Sequence, residues 1–534
     1  MDFSVPNAWS LLPPIVAIAL AIITRRVLIS LGAGILVGIL LLNGGDILAS
    51  IGHLGTAGLS LFWEAGESGQ AGSINHGKVD IMLFLLLLGV ITSMVTLLGG
   101  AKAFGRWARQ RVKSGQGAQL ATFLLGIIVF IDDYFNSLAV GSTSRPLTDQ
   151  HKVSRAKLAY LIDSTAAPVV VITPISSWGA YIIALIGSVL AAHELTSEAP
   201  LTAFVTMIPM NLYAIFALFM VLAVIYFKLD IGSMKRHEMM AVEGQLYDPA
   251  RGTPAGTVSF NNEREGKVYQ LVLPIVSLIF ATLFFVWFTG YQALVADNLP
   301  ITVLGAFENC DPAGAMLYGG LVGTVITLAI AVKERLTGKE ILMGIVQGCQ
   351  SMLSAIIILI FAWVLTGLIK ELSTGLYLSS LVESWLSPQL LPVILFVVSG
   401  AMAFATGTSW GTFGIMLPIA GDMAAAIEIS LMLPALAAVL AGSVFGDHCS
   451  PISDTTILSS TGAGCHHIDH VMTQLPYSLA VALVASCGFI AMGVADSVIA
   501  GLLVSSIAFV AVVIGLKWLA SRKNTGDSLQ AITS

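Results

Sequence analysis

The sequence predicts an all-α polytopic membrane protein built as an inverted repeat, with two re-entrant hairpins, two broken helices and about eleven spans. Three observations lead there. The 534 residues are 56% hydrophobic and 10% charged, against roughly 25% charged in soluble domains. Apolar runs such as 81–98 and 271–288 are nearly unbroken, long enough to cross ~30 Å of hydrocarbon at ~1.5 Å per residue. One short phrase also occurs twice, as Thr173-Pro174-Ile175-Ser176-Ser177 and as Ser450-Pro451-Ile452-Ser453-Asp454, each time interrupting an apolar run.

The basic residues set the order of the elements. Lys102, Arg106, Arg109, Arg111 and Lys113 form one cluster, and Arg145, Lys152, Arg155 and Lys157 the next. The polar stretch 228–267, then Lys333, Arg335 and Lys339, then Lys517, Arg522 and Lys523 complete a basic face. The positive-inside rule puts that face in the cytoplasm; the net charge of −6 has no bearing on orientation. Connections 290–312 and 421–430 hold no Lys or Arg and read as external.

Residues 1–26 carry an N-terminal helix at 11–23, followed by Arg25 and Arg26. It is not read as a cleaved signal, since no basic leader precedes it. The first repeat, 27–227, holds helices at 27–43 and 80–98, a hairpin at 118–145, a broken helix at 158–192 and a helix at 201–227. Both flanks of 118–145 are basic, so the apolar stretch between them must enter the membrane and return. Irregular backbone at that depth needs protein or a water-filled cavity around it. Residues 228–267 form a cytoplasmic loop, and 268–312 a linker helix and outer loop. The second repeat, 313–496, holds helices at 313–332 and 342–369, a hairpin at 391–420 entering from the opposite face, a broken helix at 431–460 and a helix at 474–495. Residues 497–534 supply a last helix and a cytoplasmic tail. Simple up-and-down helices are the plainer alternative.

Paired breaks at matching places in two halves of a membrane chain point to the binding site of a secondary transporter. Acidic side chains inside membrane segments are costly and default to functional candidates. Asp132 and Asp133 lie about 21 Å along the entering arm at ~1.5 Å per residue, near mid-membrane. With Asn136 and Ser137 they offer the hard oxygens that a dehydrated Na⁺ requires. The plainer reading is that one aspartate caps the returning arm. Asp163 sits early in the first broken helix, where a Lys or Arg partner is the alternative. The break itself frees backbone carbonyls, and Ser176 and Ser177 add hydroxyls. In the second half, Thr408 and Ser409 mark a hairpin tip without an acid, so charge must come from Asp447 or Asp454, beside Thr455. His448 is either a proton shuttle or a structural donor. Na⁺ is expected at Asp133, Asn136 and Asp454, with each half forming one site.

Cys465-His466-His467-Ile468-Asp469-His470 matches no zinc spacing and reads as a solvated loop. The five cysteines are scattered and suggest no disulfide framework. No nucleotide-binding loop, nucleophile–base pair or metal set stands out. The chain therefore reads as neither an enzyme nor an ATP-driven pump, with no cofactor and no nucleic-acid partner.

Phe130 to Ser137, Leu161 to Pro168, Thr173 to Gly179 and Gly446 to Thr455 together resemble the NhaC family of Na⁺/H⁺ antiporters, over roughly residues 10–520. The resemblance implies a fold of inverted repeats with two opposed hairpins, Na⁺ coupling, an inner bacterial membrane and often homodimers. It leaves open whether H⁺ alone or a small organic solute, an amino acid or a carboxylate, accompanies Na⁺.

Overall fold

The computed structural model describes residues 7–521 apart from 25, 65–71, 131, 175, 196–198, 258–264, 375–376 and 378–387. Ile131, Ile175 and the expected tail beyond 521 thus fall outside the described residues, as does the side chain of Ser177. The described chain is almost entirely helical, with one two-residue strand pair at Trp63–Glu64 and Ser73–Ile74. Among the described residues, eight helices are long and apolar enough to span a membrane, or up to ten with two bent pairs counted.

The first half runs α1 Leu12–Thr24, α2 Val27–Leu42, α3 Ile47–Leu59, α4 His76–Leu97, α5 Gly100–Arg111, α6 Gly115–Ile128, α7 Asp133–Gln150, α8 Arg155–Val170, α9 Ser177–Ala192, α10 Pro200–Met207 and α11 Leu212–Phe227. Helix α12, Gly232–Val242, lies in the polar loop. The second half runs α13 Tyr269–Ala296, α14 Val303–Glu308, α15 Pro312–Lys333, α16 Gly338–Glu371, α17 Leu391–Thr406, α18 Ser409–Ile427, α19 Met432–Cys449, α20 Asp454–Ala463 and α21 His467–Ala495, followed by α22 Val498–Ser521. Helix α3 is an element that hydropathy did not single out; it turns 119° from α2.

Packing partners recur in pairs across the two halves. Helix α6 packs on α8 as α17 packs on α19, and α7 on α8 as α18 on α19. Helix α1 packs on α2 as α13 packs on α15. The returning arm α7 also lies on α20, in the other half, just as α18 lies on α9. Each hairpin thus closes against the far segment of the opposite half's broken helix. The two largest hydrophobic cores among the described residues lie around α9, α11, α17, α18, α19 and α21, and around α2, α4, α7, α13, α16 and α20. Helix α8 contributes to both, through Tyr160 and Leu161 on one side and Leu158 and Ile162 on the other.

Local chemistry explains the breaks. In each repeated phrase the serine after the isoleucine caps the next helix: Ser176 Oγ accepts from Gly179 N at 2.9 Å, and Ser453 Oγ from Thr456 N at 3.2 Å. Such a cap satisfies an orphan amide at a helix start. Asp132 caps α7 through Phe135 N at 3.0 Å. At the second hairpin tip, Gly407 takes φ +71°, and a Cβ there would lie 2.7 Å from Ile452 O. Only glycine fits both the left-handed backbone and the close approach.

Candidate functional site

The four interruptions meet at one place, and Asp133 is its hub. The carboxylate is fully buried at the first turn of α7. Trp178 Nε1 donates to its Oδ1 at 2.9 Å, and Thr455 Oγ1 donates to its Oδ2 at 2.7 Å. Trp178 and Thr455 hold the same place after the repeated phrase, one in each half. Equivalent positions of the two broken helices therefore converge on a single carboxylate. The expectation of one site per half is corrected: the crosswise packing of α7 on α20 carries the first hairpin's acid to the second half.

The other carboxylates surround this hub. Asp454, half-buried, accepts from Tyr134 Oη, the residue next to Asp133, and from Thr455 N at 2.9 Å. Asp447 Oδ2 accepts from Ser409 N at 3.2 Å and Ser409 Oγ at 2.7 Å, so the second hairpin tip, which has no acid, borrows one from α19. Asp447 Oδ1 is buried with no partner. Thr408 is the N-cap of α18, without a side-chain cap bond. Among the described residues, Asp133, Asp447 and Asp454 make no ion pair with any Lys, Arg or His.

Asn136 ties the first hairpin together. Its Nδ2 donates to Gly126 O and Val129 O at 2.7 Å each and to Thr165 O at 3.4 Å, while its Oδ1 is buried without a partner. Ser137 Oγ meets Ser459 Oγ at 2.9 Å, across the contact of α7 with α20. Ser176 spends its hydroxyl on Val170 O and Thr173 O, both 2.8 Å away, so it shapes the break.

Asp163 belongs to a separate polar nest. Its carboxylate accepts from Gln474 Nε2 at 2.6 Å, Thr456 Oγ1 at 3.2 Å and Ser459 Oγ at 3.1 Å, with His470 Nε2 at 3.1 Å. Among the described residues no Lys or Arg reaches it; Lys157, the nearby candidate in sequence, instead pairs with Asp230 at 2.5 Å and Glu238 at 3.0 Å. His448 Nε2 lies 3.2 Å from Ser164 Oγ, and its Nδ1 lies 2.8 Å from Tyr213 Oη.

The solvated-loop reading of 465–470 is also corrected. Helix α21 begins at His467, and Cys465, His467, Asp469 and His470 are buried. The helix start tucks under α20, which aims His470 at Asp163 and pairs Asp469 with Arg251 at 2.5 Å. Sequence reasoning missed Trp178, Tyr134, His470 and Gln474. The last two stand one turn apart on α21, a spacing that places them on one face. Trp178 was marked only by its alignment with Thr455.

A family model described as the Na⁺/H⁺ antiporter family matches residues 169–494. An uncharacterized protein of Haemophilus influenzae is 49% identical over 521 residues, covering 97% of this chain and 96% of that protein. The malate-2H⁺/Na⁺-lactate antiporter of Bacillus subtilis is 28% identical over 181 residues, 32% of this chain and 36% of the relative. An uncharacterized Na⁺/H⁺ antiporter of H. influenzae is 41% identical over 96 residues, 17% of this chain and 20% of the relative. Against the crystal structure of the Alcanivorax borkumensis YdaH transporter the TM-score is 0.32, at 12% identity, over 84% of this chain and 89% of that one.

Proposed function

The chain belongs to the Na⁺/H⁺ antiporter family, and from that premise we propose that this multi-pass membrane protein exchanges Na⁺ for H⁺ by alternating access. The observation that carries this reading is the convergence of both broken helices on Asp133, inside a cluster of carboxylates that lacks a cationic partner among the described residues. An unpaired buried carboxylate is too costly to stay empty and ionised. It takes a proton or a cation, and competition between the two is the essence of antiport.

In this reading Na⁺ sits among the oxygens of Asp133, Asp454 and Thr455, with Asn136 Oδ1 as a further neutral ligand. Those are hard oxygen donors, as a small alkali cation needs. Asp447, with Oδ1 unpartnered, carries the second exchangeable charge beside Ser409. His448 is a positioning residue, held between Ser164 and Tyr213 next to Asp163. We place the protein in a bacterial inner membrane with the basic face and the C-terminus in the cytoplasm, following the positive-inside rule, and as a homodimer.

Reconstitution tests this reading. Proteoliposomes bearing the wild-type chain should show proton movement driven by an imposed Na⁺ gradient. Asp133→Asn and Asp454→Asn should abolish it, while Asp163→Asn should leave part of it. Wild-type flux in both of the first two variants would overturn the proposal.

A further inference from the structure

The basic face contains a cavity that ion exchange at Asp133 leaves unused. It measures about 310 Å³ and lies between α4 and α13 on one side and α7 on the other. Its floor is apolar, formed by Ile91, Val95, Leu271 and Ile275. Its mouth is polar and carries Arg145 and Arg155 with one carboxylate, Asp149, together with Thr96, Ser142, Gln150 and Thr257.

The two arginines differ. Arg155 is neutralised by Asp149, with Nε at 3.3 Å from one carboxylate oxygen and Nη2 at 3.1 Å from the other. Arg145 makes no ion pair among the described residues; its Nη1 donates to the backbone carbonyl of Gly256 at 2.7 Å. A guanidinium has five N–H donors in a planar fork. Most of this fork stays unused, half-buried, at the edge of a cavity. A charge withdrawn from water in this way calls for a counter-charge.

We propose that this cavity is an oxyanion site. Arg145 takes a phosphate or carboxylate group, a geometry its fork matches. The apolar floor takes the first carbons attached to that group. Basic pockets between membrane helices on the cytoplasmic side suit lipid head groups, and a soluble carboxylate offers the same chemistry. The site is separate from the acidic centre: Arg145 lies twelve residues along α7 from Asp133, about 18 Å at ~1.5 Å per residue. Its occupant would rest against Thr257 and Gly256, and so would bear on the loop that crosses this face.

The test uses the intact chain, purified in detergent without Na⁺. Thermal unfolding is followed against phosphatidylglycerol, phosphatidylcholine, potassium phosphate and potassium succinate at constant ionic strength. An oxyanion probe should raise the midpoint in the wild type. Arg145→Gln should weaken its apparent affinity about tenfold or more, the loss expected for a charge-assisted hydrogen bond, and Arg145→Lys should recover part. A response to phosphatidylglycerol alone assigns a lipid head group, and a response to phosphate or succinate assigns a soluble anion. If Arg145→Gln fails to fold, Thr96→Phe fills the cavity while keeping the bond to Gly256, and the same loss is expected. The proposal falls if no oxyanion acts beyond its neutral control, or if the substituted chain responds as the wild type does.

Discussion

At the scale of single residues, Asp133 is defined by its two donors. Trp178 and Thr455 orient the carboxylate from opposite halves of the chain. Trp178→Phe keeps an aromatic ring beside Phe413, 5.5 Å away, but removes the N–H. Thr455→Val keeps the volume and removes the hydroxyl. Each change should raise the Na⁺ concentration for half-maximal flux about tenfold, because a hydrogen bond to a charged group is worth roughly 1.5–3 kcal/mol. Maximal flux should change less, and Na⁺ titrations in proteoliposomes read the difference. The acids and hydroxyls of this centre were legible in the sequence because charge in an apolar run stands out. Trp178 was not, since a tryptophan in a membrane segment reads as bulk. The nest around Asp163 was not legible either. His470 and Gln474 come from a helix some three hundred residues away, and local spacing carries no record of such a meeting.

At the scale of elements, the hairpins depend on side chains that satisfy broken backbone. Asn136 donates to carbonyls of α6, its C-terminal end and α8. Asn136→Ala leaves buried acceptors unsatisfied and should cost on the order of 1–3 kcal/mol, visible as a lower midpoint in thermal unfolding. Both broken helices were readable from the repeated phrase, because a cap serine and a proline leave a local signature, and the hairpins from the basic flanks of the first and the Lys- and Arg-free flanks of the second. Helix α3 and the start of α21 were not readable. The first is a 13-residue helix set at 119° to α2, and the second hides polar residues whose partners are distant.

The polar loop adds a testable pH dependence. Helix α12 packs on α8 and α21. Burial pushes the His237 imidazole below its ordinary value, while the Asp469 carboxylate pulls it back up and Arg236 and Arg251 add to the lowering. A lowered histidine stabilises the docked state above its unfolded value, about 6.5, and that contribution is lost as pH falls below it. Amide protection in 232–242, taken relative to the intrinsic exchange rate at each pH, should therefore fall on acidification, and His237→Gln should flatten the response. Identical pH profiles for the two proteins would remove His237 from the account.

At the scale of the whole molecule, the twofold recurrence of packing partners matters most. Two cores, each centred on one hairpin, share α8 and are joined through the crossing of α7 with α20 and of α18 with α9. Helix α22 packs one face on the first core, through Leu516, Phe509 and Leu502, and leaves Ile499, Ile507 and Ile514 exposed in a manner suited to lipid. The sequence pattern showed that two halves existed. It did not show that they exchange partners, because exchange is a property of packing rather than of any one segment. That exchange makes a single carboxylate answer to both halves, so a change in either half can alter its access and its affinity together.

The central claim is that Na⁺ and H⁺ compete for this carboxylate. The most direct measurement is proton release from the purified, weakly buffered protein when Na⁺ is added. The wild type should release protons with a Na⁺ dependence that shifts to higher concentration as the pH falls, and Asp133→Asn should release markedly fewer. Saturable Na⁺ binding with no proton release, or release unchanged by Asp133→Asn, would contradict the account.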